Sequence, residues 1–503
     1  MNTADYLLEV GRDQDIVLIT AQERYTYRDL RQASARVAGE LEAAGVKPTS
    51  SVGILANNTL FWVAAYLAAM KLGAVAVPFP TVLMPSQIKA MVEFVSCKVM
   101  CIERRIYNRF ASALPDRLTL IGDDVLAQKG PVSWHSLPST DSPDQLAALM
   151  FTSGTTAKPR AVQVSHRNIQ ANTESIINYL SLTQNDRMMT VLPFYYCFGT
   201  SLLHTHLRRG GSLALCNTFA YPETALEMLE TAGCTGLAGV PSTFQTLLRN
   251  STFPRRRFKT LRQIQQAGGK LSPVLIKELM TALPDADIYI MYGQTEATAR
   301  LSYLPPRFLE SKLGSIGKGM PGVELSVVNE SGVAVKPGEI GEIIAKGDNI
   351  CVGYLNEPEA TAEKFVNGTL RTGDLATVDE DGFIYIVDRK SDFIKPYGYR
   401  VSSQQIENCV LELSDVVATA AIGEPDLVCG EAIKVFVMVR TGSCLTAEEI
   451  IAHCSRRLPH YMVPKAVVFL EQLPLNSAGK VVKSELRKLT TPAVSQSSLT
   501  LGA

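Results

Sequence analysis

Pro273-Val-Leu-Ile-Lys-Glu-Leu-Met-Thr-Ala-Leu-Pro-Asp-Ala-Asp-Ile-Tyr-Ile-Met291, followed at once by Tyr292-Gly-Gln-Thr-Glu296, is the stretch whose reading decides the fold. It reads as a helix and then a strand, which is the repeating unit of a parallel sheet flanked by helices. In such sheets ligands gather outside the carboxyl ends of the strands, where Tyr292, Gly293, Gln294, Thr295 and Glu296 should emerge. Thr295 can hydrogen-bond a phosphate, and Glu296 is a hard oxygen donor suited to Mg²⁺ carried by a nucleotide. Taken alone, the same five residues would read as a surface turn.

The rhythm extends outward in both directions. Leu30, Ala33, Val37 and Leu41 recur at helical spacing up to Gly45, a suitable C-cap. A short strand follows at 52–55, a helix at 60–71 closed by Gly73, and a strand at 74–78. A further helix is expected at 222–232. From about Gly314 the texture changes to short β-branched runs at 324–328, 342–345 and 383–387, punctuated by Gly and Asp. After Arg389 an α+β pattern runs to about Leu489, and the polar tail 490–503 is expected to fray. The fold expected is α/β: a large N-terminal region (1–388) of two α/β subdomains and a small β subdomain, then a small mobile α+β domain (389–489).

Composition narrows the function. A chain of 503 residues is too long for one ordinary core. Lys plus Arg (49) equals Asp plus Glu (49), so no global charge draws it to nucleic acid or an anionic membrane, and any bound anion is held locally. Asp5, Glu9, Arg12, Asp13 and Asp15 leave no apolar core for a secretory signal. The longest apolar run, 61–70, is too short to span a bilayer. The ten cysteines are scattered, with neither a C-x-x-C pair nor a dense disulfide framework, and the expected location is a reducing cytoplasm.

Three further segments carry chemistry. Phe151-Thr-Ser-Gly-Thr-Thr-Ala-Lys-Pro-Arg160 is a hydroxyl-rich loop after an apolar run. Backbone N–H groups, including that of Gly154, and the hydroxyls of Thr152, Ser153, Thr155 and Thr156 can cradle phosphate oxygens while Lys158 neutralises charge. It is not the P-loop, whose G-x-x-x-x-G-K-[ST] is absent. Leu370-Arg-Thr-Gly-Asp-Leu375 offers Asp374 to two vicinal ribose hydroxyls. Leu473-Pro-Leu-Asn-Ser-Ala-Gly-Lys480 is a turn that delivers one lysine. Each has a bland alternative, an exposed linker or a solvated side chain. Gly317-Lys-Gly-Met-Pro-Gly322 matches G-x-G-x-x-G, but it precedes a strand instead of opening a helix, which excludes a dinucleotide fingerprint.

In order and spacing these motifs resemble the adenylate-forming superfamily of acyl-CoA synthetases, amino-acid adenylation domains and firefly luciferase, from about Tyr25 to Leu489. The resemblance implies an ATP- and Mg²⁺-dependent enzyme that makes an acyl-adenylate, releases pyrophosphate and passes the acyl group to a thiol. By the same resemblance, residues 152–160 bind pyrophosphate, Gly268 and Gly269 with Tyr292 to Glu296 hold adenine and metal-bound phosphates, and Asp374 takes the ribose. Arg389 lies near a hinge at Ser391 or Asp392. Lys480 serves the first half-reaction, and Lys395 and Gly398 the thioester-forming one. The implied acceptor is CoA, with a carrier-protein phosphopantetheine as the alternative. An inactive nucleotide-binding relative is a third reading, because Ala157 and Ala161 replace customary glycines, Arg160 a lysine, and Asp388 a glycine.

Substrate choice is written in fewer residues. Amino-acid-activating relatives place an acidic residue in the segment matching 194–199, but here no Asp or Glu occurs between Pro193 and Tyr221. A buried ammonium would go unpaired, so an uncharged fatty or other organic acid is expected in place of an α-amino acid. Tyr196 matches an aromatic gate, and Phe198, Gly199, Ser201, Gly239 and Val240 are candidate pocket walls. His204 and His206, two apart on a helix, face different sides and form no metal pair.

Overall fold

The computed structural model describes residues 1–128, 133–139, 142–152, 160–219, 221–389, 392–476 and 479–489. They divide into two units, 1–387 with 479, and 388–476 with 480–489.

The first unit is built on three sheets. One has seven strands, with a parallel core of Ser51–Leu55, Val75–Pro78, Val99–Ile102, Thr119–Gly122 and Leu146–Phe151. Antiparallel Ala161–Ser165 extends it, and Gly353–Tyr354 closes that edge. The second sheet has nine strands. Its parallel core runs through Ile16–Ile19, Ser212–Leu215, Arg187–Thr190, Gly236–Gly239, Gln263–Gln266 and Asp287–Tyr292. The chain makes Arg187–Thr190 first, adds Ser212–Leu215 on one side, then returns to place Gly236–Gly239 on the other. A reversal of this kind opens a crevice beyond the strand ends, and the two strands facing it lead into residues 191–196 and Val240.

Strands with both faces covered need unbroken apolar runs, and Val75–Pro78, Val99–Ile102 and Gly236–Gly239 are buried at every position. The helix Leu60–Lys71 is apolar all round and buried at all but its first residue, so it sits inside the core instead of on it. Thr59 caps it by accepting from the Trp62 N–H. The helix Tyr27–Ala43 is amphipathic, starts at a Thr26–Asp29 capping box and packs on Leu60–Lys71. The third sheet is antiparallel: Val323–Val328, Gly341–Gly347, Thr369–Val378 and Phe365–Val366, with Ile384–Arg389 also paired to Thr369–Val378.

The second unit carries a three-stranded sheet, Val416–Asp426, Gly430–Val439 and Ala466–Phe469. A two-stranded ribbon, Phe393–Ile394 with Val401–Ser402, accompanies it, as do the helices Ser403–Val410, Ala447–Arg457 and Lys483–Lys488. The fold is thus the mixed α/β arrangement expected, a large region of two α/β sheets and one β sheet followed by a smaller α+β unit. The tail from 490 lies outside the described residues. Among the described residues no helix is long and apolar enough to cross a membrane.

Candidate active site

Strand Asp287–Tyr292 ends in a turn that only glycine permits. A Cβ on Gly293 would stand 1.8 Å from the Ala299 carbonyl oxygen, well inside contact distance. The chain then makes one 3₁₀ turn, Thr295–Ala297, and Thr298 takes a left-handed φ of 64°. That non-glycine strain is held from outside the turn. Thr298 Oγ1 donates to the Asn349 carbonyl at 2.8 Å, Asn349 Nδ2 donates to the Arg300 carbonyl at 2.8 Å, and the Cys351 N–H donates to the Glu296 carbonyl at 2.9 Å.

The segment that clamps the turn also supplies its partner. Tyr354 pairs along Ala161–Ser165 and donates its hydroxyl to Glu296 Oε1 at 2.6 Å. Burial, and then the Glu296 charge, push the Tyr354 phenol far up, so it remains a donor. The Arg160 guanidinium lies 5.0 Å from the Tyr354 ring centroid and pairs with Glu357 at 3.0 Å. Arg160 also closes the base of the hydroxyl-rich loop, its carbonyl accepting from the Thr152 N–H at 2.9 Å. Arg160 is therefore one aromatic ring away from Glu296.

Asp374 approaches from the third sheet. Gly373 takes a φ of 78° at an irregularity in the ladder, and its N–H donates to Glu342 Oε1 at 3.1 Å. The Asp374 carboxylate, 7% exposed, accepts from the Tyr292 hydroxyl at 2.6 Å. Thr295 Oγ1 lies 3.6 Å from the Cys197 thiol at the start of helix Cys197–Arg209, the segment of Tyr196, Phe198, Gly199 and Ser201. That segment is closely fitted: Ser201 Oγ donates to the Phe198 carbonyl at 2.7 Å, and a Cβ on Gly199 would lie 2.1 Å from the Pro193 carbonyl oxygen. Gly239 and Val240 stand at the crevice end of their strand, with Val240 buried. Gly268 has a φ of 86°, and Gln266 Nε2 donates to the Gly269 carbonyl at 2.9 Å.

The structure thus brings together Thr152, Tyr292, Thr295, Glu296, Asp374 and the start of the 197–209 helix. Ser153, Gly154, Thr155, Thr156, Lys158 and Ser391 lie outside the described residues, as does the side chain of Arg389. Lys395, Asp392 and Lys480 belong to the second unit. Lys395 is exposed, its N–H donating to Glu431 Oε2 at 2.6 Å. The Lys480 N–H donates to Asn476 Oδ1 at 3.0 Å and its carbonyl accepts from the Asn476 N–H at 2.8 Å. Asp388 is committed locally, accepting from the Ser402 hydroxyl and the Ser403 N–H, both at 3.0 Å. His204 bonds the Tyr66 hydroxyl at 3.0 Å and His206 Nδ1 the Leu202 carbonyl at 2.9 Å, two separate core contacts.

Sequence reasoning missed Tyr354, Asn349 and Arg300. The first two belong to a segment without a motif, and nothing in a lone Tyr or Asn announces a partner 50 residues away. The donors fit the group expected: a carboxylate and a hydroxyl are hard oxygens of the kind Mg²⁺ takes, and the buried Gln294 Nε2 has no hydrogen-bond partner among the described residues.

Two family models match the chain, the AMP-binding enzymes over residues 10–355 and the AMP-binding enzyme C-terminal domain over residues 405–480. The chain belongs to the AMP-binding enzymes. It is similar to a long-chain-fatty-acid–CoA ligase of Escherichia coli O6:H1, 30% identical, covering 92% of this chain and 90% of that protein. It is equally similar to a 2-succinylbenzoate–CoA ligase of Bacillus mycoides, 30% identical over 93% and 94% of the two chains. Among solved structures, o-succinylbenzoate CoA synthetase from Bacillus subtilis with its acyl-adenylate OSB-AMP aligns with a TM-score of 0.84 at 27% identity, covering 97% of this chain and 98% of that one. The same enzyme has been solved with ATP and a magnesium ion, at a TM-score of 0.85.

Proposed function

We propose that this protein is an ATP-dependent acid–CoA ligase that activates an organic acid as its acyl-adenylate and transfers the acyl group to CoA. The observation that carries the reading is the paired arrangement of Tyr354 on Glu296 and Tyr292 on Asp374, which draws on strands of three sheets. Attack of a carboxylate on the α-phosphate brings two anions together, so the site must present positive charge and donors where charge builds. Mg²⁺, when bound, neutralises phosphate charge. Glu296 and Thr295 would hold it, with Tyr354 fixing the carboxylate. Asp374 takes the ribose hydroxyls, oriented by Tyr292.

Residues 153–158 hold the leaving pyrophosphate through backbone N–H groups, hydroxyls and Lys158. Gly268 and Gly269 flank the adenine, and the acid lies along Tyr196 to Ser201, Gly239 and Val240. Lys480 supplies charge for adenylation, and Lys395 serves thioester formation. The small domain, 389–489, moves between the two about a hinge at 391–392. The ten free thiols suit a cytoplasmic location.

ATP–pyrophosphate exchange across a panel of acids tests the first half-reaction, and CoA or a holo carrier protein added to the responsive acid tests the second. Thioester on CoA is expected. Exchange without CoA thioester, or thioester on the carrier protein alone, would refute the acceptor, and no exchange with any acid would refute the ligase.

A further inference from the structure

Arg300 is among the largest fully buried side chains of the described residues, 2% exposed. Its carbonyl is fixed by Asn349 Nδ2 at 2.8 Å and Asn172 Nδ2 at 3.3 Å, which leaves the side chain to run inward from the turn that carries Glu296. The guanidinium carbon lies over the Phe198 ring of the candidate acyl segment, 4.1 Å from its centroid. Nε donates to the Met291 sulfur at 3.4 Å, a weak acceptor. Among the described residues the buried Nη2 has no hydrogen-bond partner, and no carboxylate pairs with Arg300.

The neighbouring Tyr179 cannot serve as the missing anion. Burial pushes its phenol up to about 12 despite the opposing pull of Arg300, so it stays neutral, and its hydroxyl is donated to the Met291 sulfur at 3.1 Å. Tyr179 itself stacks on Tyr303 with ring centroids 4.0 Å apart, part of an apolar aromatic wall.

A guanidinium keeps its charge at any physiological pH, and burying it without an anion costs far more than one cation–π contact returns. Charges in this position mark a place where a ligand supplies the counter-charge, with the protein carrying the cost until it binds. The unpaired Nη2 and the fork geometry match a carboxylate. The absence of Asp and Glu from Pro193 to Tyr221 keeps competing anions out of the same wall.

Resting on the ligase reading above, we propose that Arg300 sets the substrate class. The acid activated here carries a second carboxylate, held by the Arg300 guanidinium over the Phe198 ring while the first is adenylated. This departs from the uncharged acid expected from the sequence, because the absence of acidic residues in 194–220 argues only against a substrate cation, and it separates the chain from ligases of simple fatty acids.

The test compares matched acids in ATP–pyrophosphate exchange: benzoate against its 2-, 3- and 4-carboxy derivatives, and hexanoate against adipate. At least one diacid should exceed its matched monoacid in kcat/KM by about 10- to 100-fold, the effect of one buried charge-assisted pair. Arg300→Met should collapse that ratio to near one. Arg300→Lys, which keeps the charge and loses the fork, should leave an intermediate ratio and serves if the Met variant does not fold. Monoacids used as well as every diacid, or a ratio that survives both substitutions, would overturn the assignment while leaving the ligase intact. Calorimetric titration of the wild-type protein with the same pairs reads the preference without turnover. Were no acid exchanged, the ligase reading would fail, and a diacid that binds no better than its monoacid would sink this one separately.

Discussion

Buried carboxylates occur in both units, but their partners differ. In the first unit Glu296 and Asp374 each accept a short hydrogen bond from a tyrosine hydroxyl. In the second, Glu407 meets the Lys483 ammonium at 2.8 Å and accepts from the Ala421 N–H at 2.9 Å. A phenol orients a carboxylate and leaves its charge in place, whereas an ammonium cancels it. At Glu296 the first arrangement suits a site that answers a cation arriving with a ligand. The second suits a fixed joint, and Lys483 completes it by donating to Ser403 Oγ at 2.6 Å, at the head of helix Ser403–Val410.

The same contrast applies to two lysines three residues apart, and it gives the largest expected effect. Lys483 is committed to Glu407, while Lys480 is assigned to charge that develops only during adenylation. Lys480→Ala should lower ATP–pyrophosphate exchange about 1000-fold while thioester formation from supplied acyl-adenylate changes little. Equal losses in both half-reactions would erase the distinction between the two lysines.

Acid should strike the first unit before the second. Burial holds His166 down to about 4 and His204 to about 3, and it lowers His206 as well, whereas the second unit buries neither His453 nor His460. A histidine whose folded pKa lies below its unfolded value, near 6.5, binds more protons when unfolded. Stability is therefore complete above about pH 6.5 and declines as pH falls toward 4. At pH 5 the loss is about 2 kcal/mol for each of His166 and His204. Calorimetry from pH 7.5 to 5 should show the transition of the large unit falling. An unchanged transition would mean these imidazoles are solvated.

Third in size is Lys483→Met. It leaves Glu407 buried without its cation, which should destabilise the second unit by about 3 kcal/mol at pH 8. Burial already pushes the Glu407 carboxyl up. Without the lysine its folded pKa rises further above the unfolded value, so the stability that remains is present at low pH and lost as pH rises. The defect should shrink at pH 5, and adding Glu407→Leu should recover most of it at pH 8, as a double-mutant cycle would measure.

Much of this was legible in the sequence because periodicity and turn chemistry are local. The expected helix at 60–71 and the strand at 74–78 emerge as Leu60–Lys71 and Val75–Pro78, with Gly73 left-handed between them at a φ of 69°. The motif Tyr292 to Glu296, expected to face a ligand, emerges at a strand's carboxyl end for the same reason. The partners of that motif were not legible. Tyr354 reaches Glu296 only because a two-residue strand pairs with the edge of the first sheet, and two residues carry no period. Arg300 looks like any other arginine until its burial is known, since nothing in a sequence tells whether a guanidinium meets water, an acid or a ring.

The smallest effects separate the two tyrosines. Tyr292→Phe removes a donor to Asp374 and keeps the ring in place, and one hydrogen bond to a charged group is worth about 2 kcal/mol. Because Asp374 is assigned to the ribose, the loss should appear as a KM for ATP raised about tenfold with kcat nearly unchanged. Tyr354→Phe loosens Glu296, whose assigned role grows as phosphate charge shifts. There kcat should fall about tenfold, and excess Mg²⁺ should restore part of it. If instead both variants raise the KM for ATP and neither responds to Mg²⁺, the phenols only pack, and the contrast with the Glu407–Lys483 joint loses its functional meaning. The reciprocal pattern, a KM effect at Tyr354 and a kcat effect at Tyr292, would exchange the roles of the two carboxylates while keeping the principle that a charge held by a phenol remains available to a ligand.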